Sequence, residues 1–150
     1  MTKLVNVLNH LMVDIFNDIL TIEETSLKKG MFSDLSVKEM HTIEAIGMYH
    51  PRTMSEVAQD LKITVGTLTT AINRLVKKGY VERNRIEDDR RIVQIQLTKK
   101  GKLAYRIHEK FHTDMIKAML DGLETEEEDI LVKSLSQLSK YLKDKYKLNK

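Results

Sequence analysis

Between positions 55 and 91 the chain concentrates side chains that can hydrogen-bond to nucleic acid. Thr64, Thr67, Thr69 and Thr70 supply hydroxyls, Asn73 an amide, and Arg74 and Lys77 cations. A second group follows in Arg85, Asp89, Arg90 and Arg91. Hydroxyls and amides suit base edges and nearby phosphates, while guanidinium and ammonium groups suit the backbone. Ser55 and Gly66 complete the candidate DNA-contact set. Charge points the same way. The chain carries a net charge of only +3, yet residues 62–110 hold 13 Lys and Arg against 5 Asp and Glu. A basic middle between acidic flanks focuses positive potential on one region, as phosphate binding requires.

The elements that must hold these groups are legible from periodicity. Val57, Ala58, Leu61, Thr64, Thr67, Leu68, Ile72 and Leu75 have the spacing of a helix-turn-helix, with small Ala58 letting two helices cross closely. That leaves Thr67, Thr69, Thr70, Asn73 and Arg74 facing outward. Tyr80 to Arg85 and Ile92 to Leu97 then predict a hairpin with its charges, Glu87 to Arg91, at the tip. A helix shaped for a major groove beside a cationic hairpin shaped for a minor groove implies a DNA reader. The alternative is a winged module used only for protein contacts.

Around this centre lie longer helices. Leu4, Leu8, Leu11, Ile15, Ile19 and Ile22 predict a first helix ending near Lys28-Lys29-Gly30. Capping boxes are expected at Ser36/Glu39, Thr53/Glu56 and Thr125/Glu128, and Thr98 is expected to cap a fifth helix that Gly122 ends. The fold class expected is mainly α with a small β-hairpin wing (α+β), a winged helix-turn-helix with N- and C-terminal dimerisation helices. Residues 1–150 read as a single domain, with 36–98 the DNA-binding core and 1–30 and 99–147 the mainly helical dimerisation region. The outer helices carry broader apolar faces than so small a core can cover. A homodimer solves this, and its two recognition helices about one DNA turn apart match a palindromic duplex.

Several functions are disfavoured. There is no cysteine, which excludes disulfides and thiolate chemistry. No Gly-rich phosphate loop or Ser/His/Asp order appears, so no catalytic residue is expected and the chain does not read as an enzyme. No apolar run approaches the ~20 residues of a membrane span, and no signal-peptide pattern follows Met1. A cytoplasmic location is expected, with no membrane partner and no cofactor.

The chain resembles the MarR family of winged helix-turn-helix regulators over essentially its whole length. The carriers are the Ala58 to Leu75 spacing, the Leu75-x-x-x-Gly79-Tyr80-Val81-x-Arg83 transition, and Asp89-Arg90-Arg91 followed by Val93-x-Ile95-x-Leu97-Thr98-x-x-Gly101. The resemblance implies that Asp89 orients Arg91 into a minor groove, where narrow A·T-rich sequence strengthens the negative potential. Ser36 to Ile43, Thr64 to Thr70 and Arg106 to His112 further resemble the fatty-acid-biosynthesis repressors of that family. This implies long-chain acyl–acyl carrier protein as corepressor. A compatible acyl chamber would draw on Phe16, Ile19, Leu20, Met40, His41, Ile43, Ile107, His108, Phe111 and Met115, with flexible Met suiting a tail better than a flat ring. Each of these residues can equally be ordinary core. Zinc-sensing relatives supply the rival reading, with Glu24, His41, His108 and His112 as ligands. His10 and His50 lack such company and are expected at the surface.

Overall fold

The first amides of a helix have no partner inside it, so helices start where a side chain can accept from them. In a computed structural model, which describes residues 2–148, this rule sets most boundaries. The order is α1 (Thr2–Lys29), α2 (Val37–Ile46), β1 (Arg52–Thr53), α3 (Met54–Leu61), α4 (Val65–Lys78), β2 (Val81–Arg85), β3 (Val93–Leu97), α5 (Lys99–Leu120) and α6 (Thr125–Tyr146). Ser36 caps α2 with the complete reciprocal box, its hydroxyl accepting from the Glu39 amide while Glu39 accepts from the Ser36 amide. Thr53 caps α3 as expected, but Glu56 does not reach back. Its carboxylate lies 3.5 Å from Arg52 instead, where a cation outcompetes a neutral amide. The box expected at Thr125/Glu128 is displaced by one residue: Glu124 is the cap and its amide donates to Glu127.

The expected hairpin forms, and β1, which sequence reading missed, joins it. The sheet order is β1-β3-β2, antiparallel throughout, with Arg52 opposite Ile95 and Val81 opposite Leu97. Two residues carry no readable alternation, so only the partner strand reveals β1.

Contacts divide the chain into two compact units, Met1–Tyr105 and Arg106–Lys150. The division falls inside α5. The reason is local. The Thr98 hydroxyl donates to the Gly79 carbonyl at 2.6 Å and accepts from the Gly101 amide at 3.2 Å, and Ala104 is buried in the core. The first turns of α5 thus pack as part of the first unit. That unit's core joins Met40, Ile43 and Ile46 of α2 to Val57 and Ala58 of α3, Leu68, Ile72 and Leu75 of α4, and Tyr80, Val81, Ile95 and Leu97 around the sheet.

A second set of contacts ties the loop after α1 to this core. Tyr80 is fully buried, donates to Asp34 at 2.6 Å and meets Phe32 edge-on with centroids 6.0 Å apart. Lys78, at the end of α4, donates to the Asp34 carbonyl and to both oxygens of Glu39. Burial works to raise the Glu39 carboxyl, but Lys78 and Ser36 together hold it below its ordinary range.

Outside the core, α1 and α6 keep their apolar residues in solvent. Leu4, Leu8, Leu11, Ile15 and Phe16 are each more than half exposed, and α6 buries none of its residues. Among the described residues, no helix is long and apolar enough to cross a membrane.

Gly101 marks the tightest backbone approach among the glycines. A Cβ there would lie 2.1 Å from the Tyr80 carbonyl oxygen, a backbone atom that cannot swing aside. Gly101→Ala is therefore expected to cost about 2–3 kcal/mol or more of stability. Urea denaturation monitored by circular dichroism measures this, and an unchanged midpoint would contradict the packing described.

Candidate nucleic-acid interface

The outward face of α4 follows from what its inward face buries. Leu68, Ile72 and Leu75 are completely excluded from solvent, which leaves Gly66, Thr70, Asn73, Arg74 and Lys77 exposed and Thr69 half-buried. The turn into α4 is closed by Lys62 in the left-handed region (φ 58°), its amide donating back to the end of α3. Ile63 donates to the Ala58 carbonyl at 3.1 Å. Ser55 is exposed in the first turn of α3.

Hydrogen bonds fix how several of these groups face outward. The Thr64 hydroxyl accepts from the Thr67 amide at 3.1 Å and donates to the Thr67 hydroxyl at 2.9 Å. Thr67 thus keeps hydrogen-bonding capacity for an outside partner. Thr69 spends its proton on the Val65 carbonyl at 2.8 Å, and Thr70 points its hydroxyl at the Gly66 carbonyl. These two present methyl groups and acceptor lone pairs instead. Asn73 accepts from Arg83 of β2. Arg83 was not among the contacts expected from sequence, because only the packing of α4 on β2 brings it there. Lys78 faces the Asp34 and Glu39 network, leaving Arg74 and Lys77 as the exposed cations of the helix's last turns.

The wing is built around one carboxylate. Asp89 accepts from the Arg91 amide at 3.1 Å and takes the guanidinium through two parallel bonds of 3.0 Å. Its carboxyl is held below the ordinary aspartate range by Arg91, first through the side-chain bonds and then through the amide. The clamp therefore stands above the usual aspartate pKa and is lost only as pH falls through the lowered value. Arg91 itself is 91% exposed, a stiffened cation at the tip. Arg85 donates to the Arg90 carbonyl at 2.7 Å, so it braces the turn while both residues remain at the surface.

Comparison with known proteins agrees with this geometry. Residues 33–92 match the MarR family. The uncharacterized HTH-type transcriptional regulator YfiV of Bacillus subtilis is 31% identical over 119 residues, covering 79% of this chain and 74% of the relative. The chain belongs to the MarR family. The HTH-type transcriptional regulator PecS of Dickeya dadantii, another relative, is 33% identical over 112 residues, covering 72% of this chain and 67% of PecS. Among solved structures, Streptococcus pneumoniae FabT in complex with DNA superposes with a TM-score of 0.85 at 44% identity, covering 93% of this chain and 98% of FabT. The protein is thus a MarR-type winged helix-turn-helix DNA-binding transcriptional regulator, not an enzyme.

The residues expected to line an acyl chamber fall in different environments. On α1, Phe16 and Leu20 are exposed and Ile19 is half-buried. Met40 and Ile43 are locked in the closed core of the first unit and offer a ligand almost no surface in this conformation. On α5, Ile107 is exposed while Phe111 and Met115 are half-buried, one helical row at four-residue steps. His108 and His112 stand beside them, ring nitrogens 3.0 Å apart. The metal reading needs one correction. Glu24 is exposed and pairs with Lys28 at 3.1 Å. Glu23 is the buried carboxylate, 3.4 Å from the His41 ring. Its place on the Phe16, Leu20, Leu27 row of α1 was legible from helical periodicity.

Gly66 separates a structural from a functional role. A Cβ there would meet nothing closer than the Thr64 hydroxyl at 3.9 Å, and its backbone is helical. Gly66→Ala should raise stability by roughly 0.5–1 kcal/mol. Because it also thickens the end of α4 aimed at DNA, it should weaken duplex binding about tenfold. Thermal unfolding and fluorescence anisotropy test the two effects, and a more stable variant with undiminished affinity would remove Gly66 from the interface.

Proposed function

We propose that this regulator represses fatty-acid-biosynthesis genes, binding palindromic duplex DNA as a homodimer whose affinity long-chain acyl–acyl carrier protein strengthens. The observation that supports this most is the 44% identity to FabT across nearly the whole chain. The homodimer is supported by the exposed apolar stripes of α1 and α6, which a partner chain could cover. The ligand chemistry is supported by apolar rows of α1 and α5 that an acyl chain could cover. Each methylene so buried contributes roughly 0.8 kcal/mol by transfer estimates, before ordering costs. A corepressor acts by preferring the conformation whose recognition helices match the operator. The setting is the cytoplasm, where the chromosome is accessible.

Zinc gating is the second reading, and the His108–His112 pair supports it. Imidazoles one turn apart with nitrogens 3.0 Å apart need little adjustment to share a tetrahedral ion. In this reading Glu23, rather than Glu24, is the carboxylate beside His41.

Gel shifts on a palindromic duplex taken from fatty-acid-biosynthesis promoters distinguish the readings. Acyl–acyl carrier protein is expected to tighten binding on the order of tenfold or more, a coupling within the usual allosteric range. The response should persist in a His108→Ala, His112→Ala double variant. No effect of acyl–acyl carrier protein, together with a zinc response that the double variant loses, would replace the fatty-acid reading with the zinc one.

A further inference from the structure

Arginine carries donors and no acceptor, so the group it meets on an amide must be the oxygen. Arg83 of β2 donates to the Asn73 side chain of α4, which settles the orientation of that amide. The Oδ1 atom faces a guanidinium, and the Nδ2 group keeps its two N–H donors for other partners. Both residues are exposed, so the contact adds little to stability. Its consequence is directional. Asparagine reads adenine through both ends of its amide, accepting from N6 and donating to N7. Here a cation already occupies the accepting end and repels the positive edge of an exocyclic amino group.

We infer that Arg83 is a positioning residue that aims the Asn73 amide nitrogen outward and biases it toward donating, selecting a keto base over an amino base in the major groove. Guanine, through O6 and N7, and thymine, through O4, accept from Nδ2. Adenine and cytosine bring N6 and N4 amino groups toward an oxygen that already accepts from Arg83 and toward the guanidinium's like charge. The strand pairing makes the arrangement rigid. Arg83 lies opposite Ile95, a fully buried residue of β3, so the backbone that carries the guanidinium is fixed by the core. This inference rests on α4 being the DNA-reading helix, and deepens that reading by assigning one contact its base class.

Competition binding with every base at each half-site position tests it in the full-length protein. The parent should favour keto over amino bases about tenfold at one position per half-site, the scale of a single good base contact. Arg83→Met, which keeps the length but not the donors, should reduce that ratio to near unity, and Arg83→Lys should restore part of it. In an Asn73→Ala background, Arg83→Met should change discrimination no further, since the two act as one unit. Circular dichroism confirms that each variant folds. Retention of the keto preference in Arg83→Met overturns the inference. So does an equal loss on all duplexes with a salt slope lower by about one contact, which marks Arg83 as a phosphate ligand. Adenine preference at that position in the parent also overturns it. Failure of the parent to bind any duplex would instead defeat the DNA-reading function on which it stands.

Discussion

The burial of one face of α4 is the constraint on which the rest of the first unit depends. Leu68, Ile72 and Leu75 are completely excluded from water and packed into a core shared with α2, α3 and the sheet. Rotating the helix by even a fraction of a turn would bring these side chains into solvent, at about 1.5–3 kcal/mol each. The core therefore decides which residues α4 shows. Thr70, Asn73, Arg74 and Lys77 face outward because their neighbours cannot. The same packing places β2 against α4, so the groups that could orient a reading side chain come from the sheet as well as from the helix.

The loop after α1 belongs to the same mechanical unit. Asp34 accepts from the Tyr80 hydroxyl, its carbonyl accepts from Lys78, and Lys100 at the start of α5 lies over the Tyr80 ring at 4.3 Å. These contacts tie the end of α1 and the start of α5 to the C-terminal end of α4. A cation–π contact and a half-buried ion pair can exchange partners more readily than a closed apolar core can shear.

Most of this arrangement was legible in the sequence, because it follows from local periodicity. The alternation in Val93, Ile95 and Leu97 gave β3, and the Thr-rich stretch with its apolar row gave α4 and its outer face. The exceptions share a cause. β1 is two residues long and exists only through its pairing with β3. Arg83 meets Asn73 only when two elements pack. Glu56 left its expected box because Arg52 stood near, and Glu124 took the cap expected of Thr125, a shift of one residue that local chemistry permits either way. Met40 and Ile43 are buried in this conformation, and an apolar helix face does not announce whether core or ligand will cover it. Partners set by tertiary geometry cannot be read from spacing alone. The Glu23 and Glu24 exchange is different, since helical phase already favoured Glu23.

The central claim is that this core presents α4 to a major groove and the Arg91 wing to the neighbouring minor groove, in two copies. Hydroxyl-radical footprinting of the full-length protein on a duplex selected for tight binding tests it most directly. The account predicts two protected half-sites with centres one helical turn apart, each flanked by a minor-groove protection that Arg91→Ala removes while the half-sites remain. A single protected tract without two-fold symmetry, or flanking protection unchanged in Arg91→Ala, would contradict it.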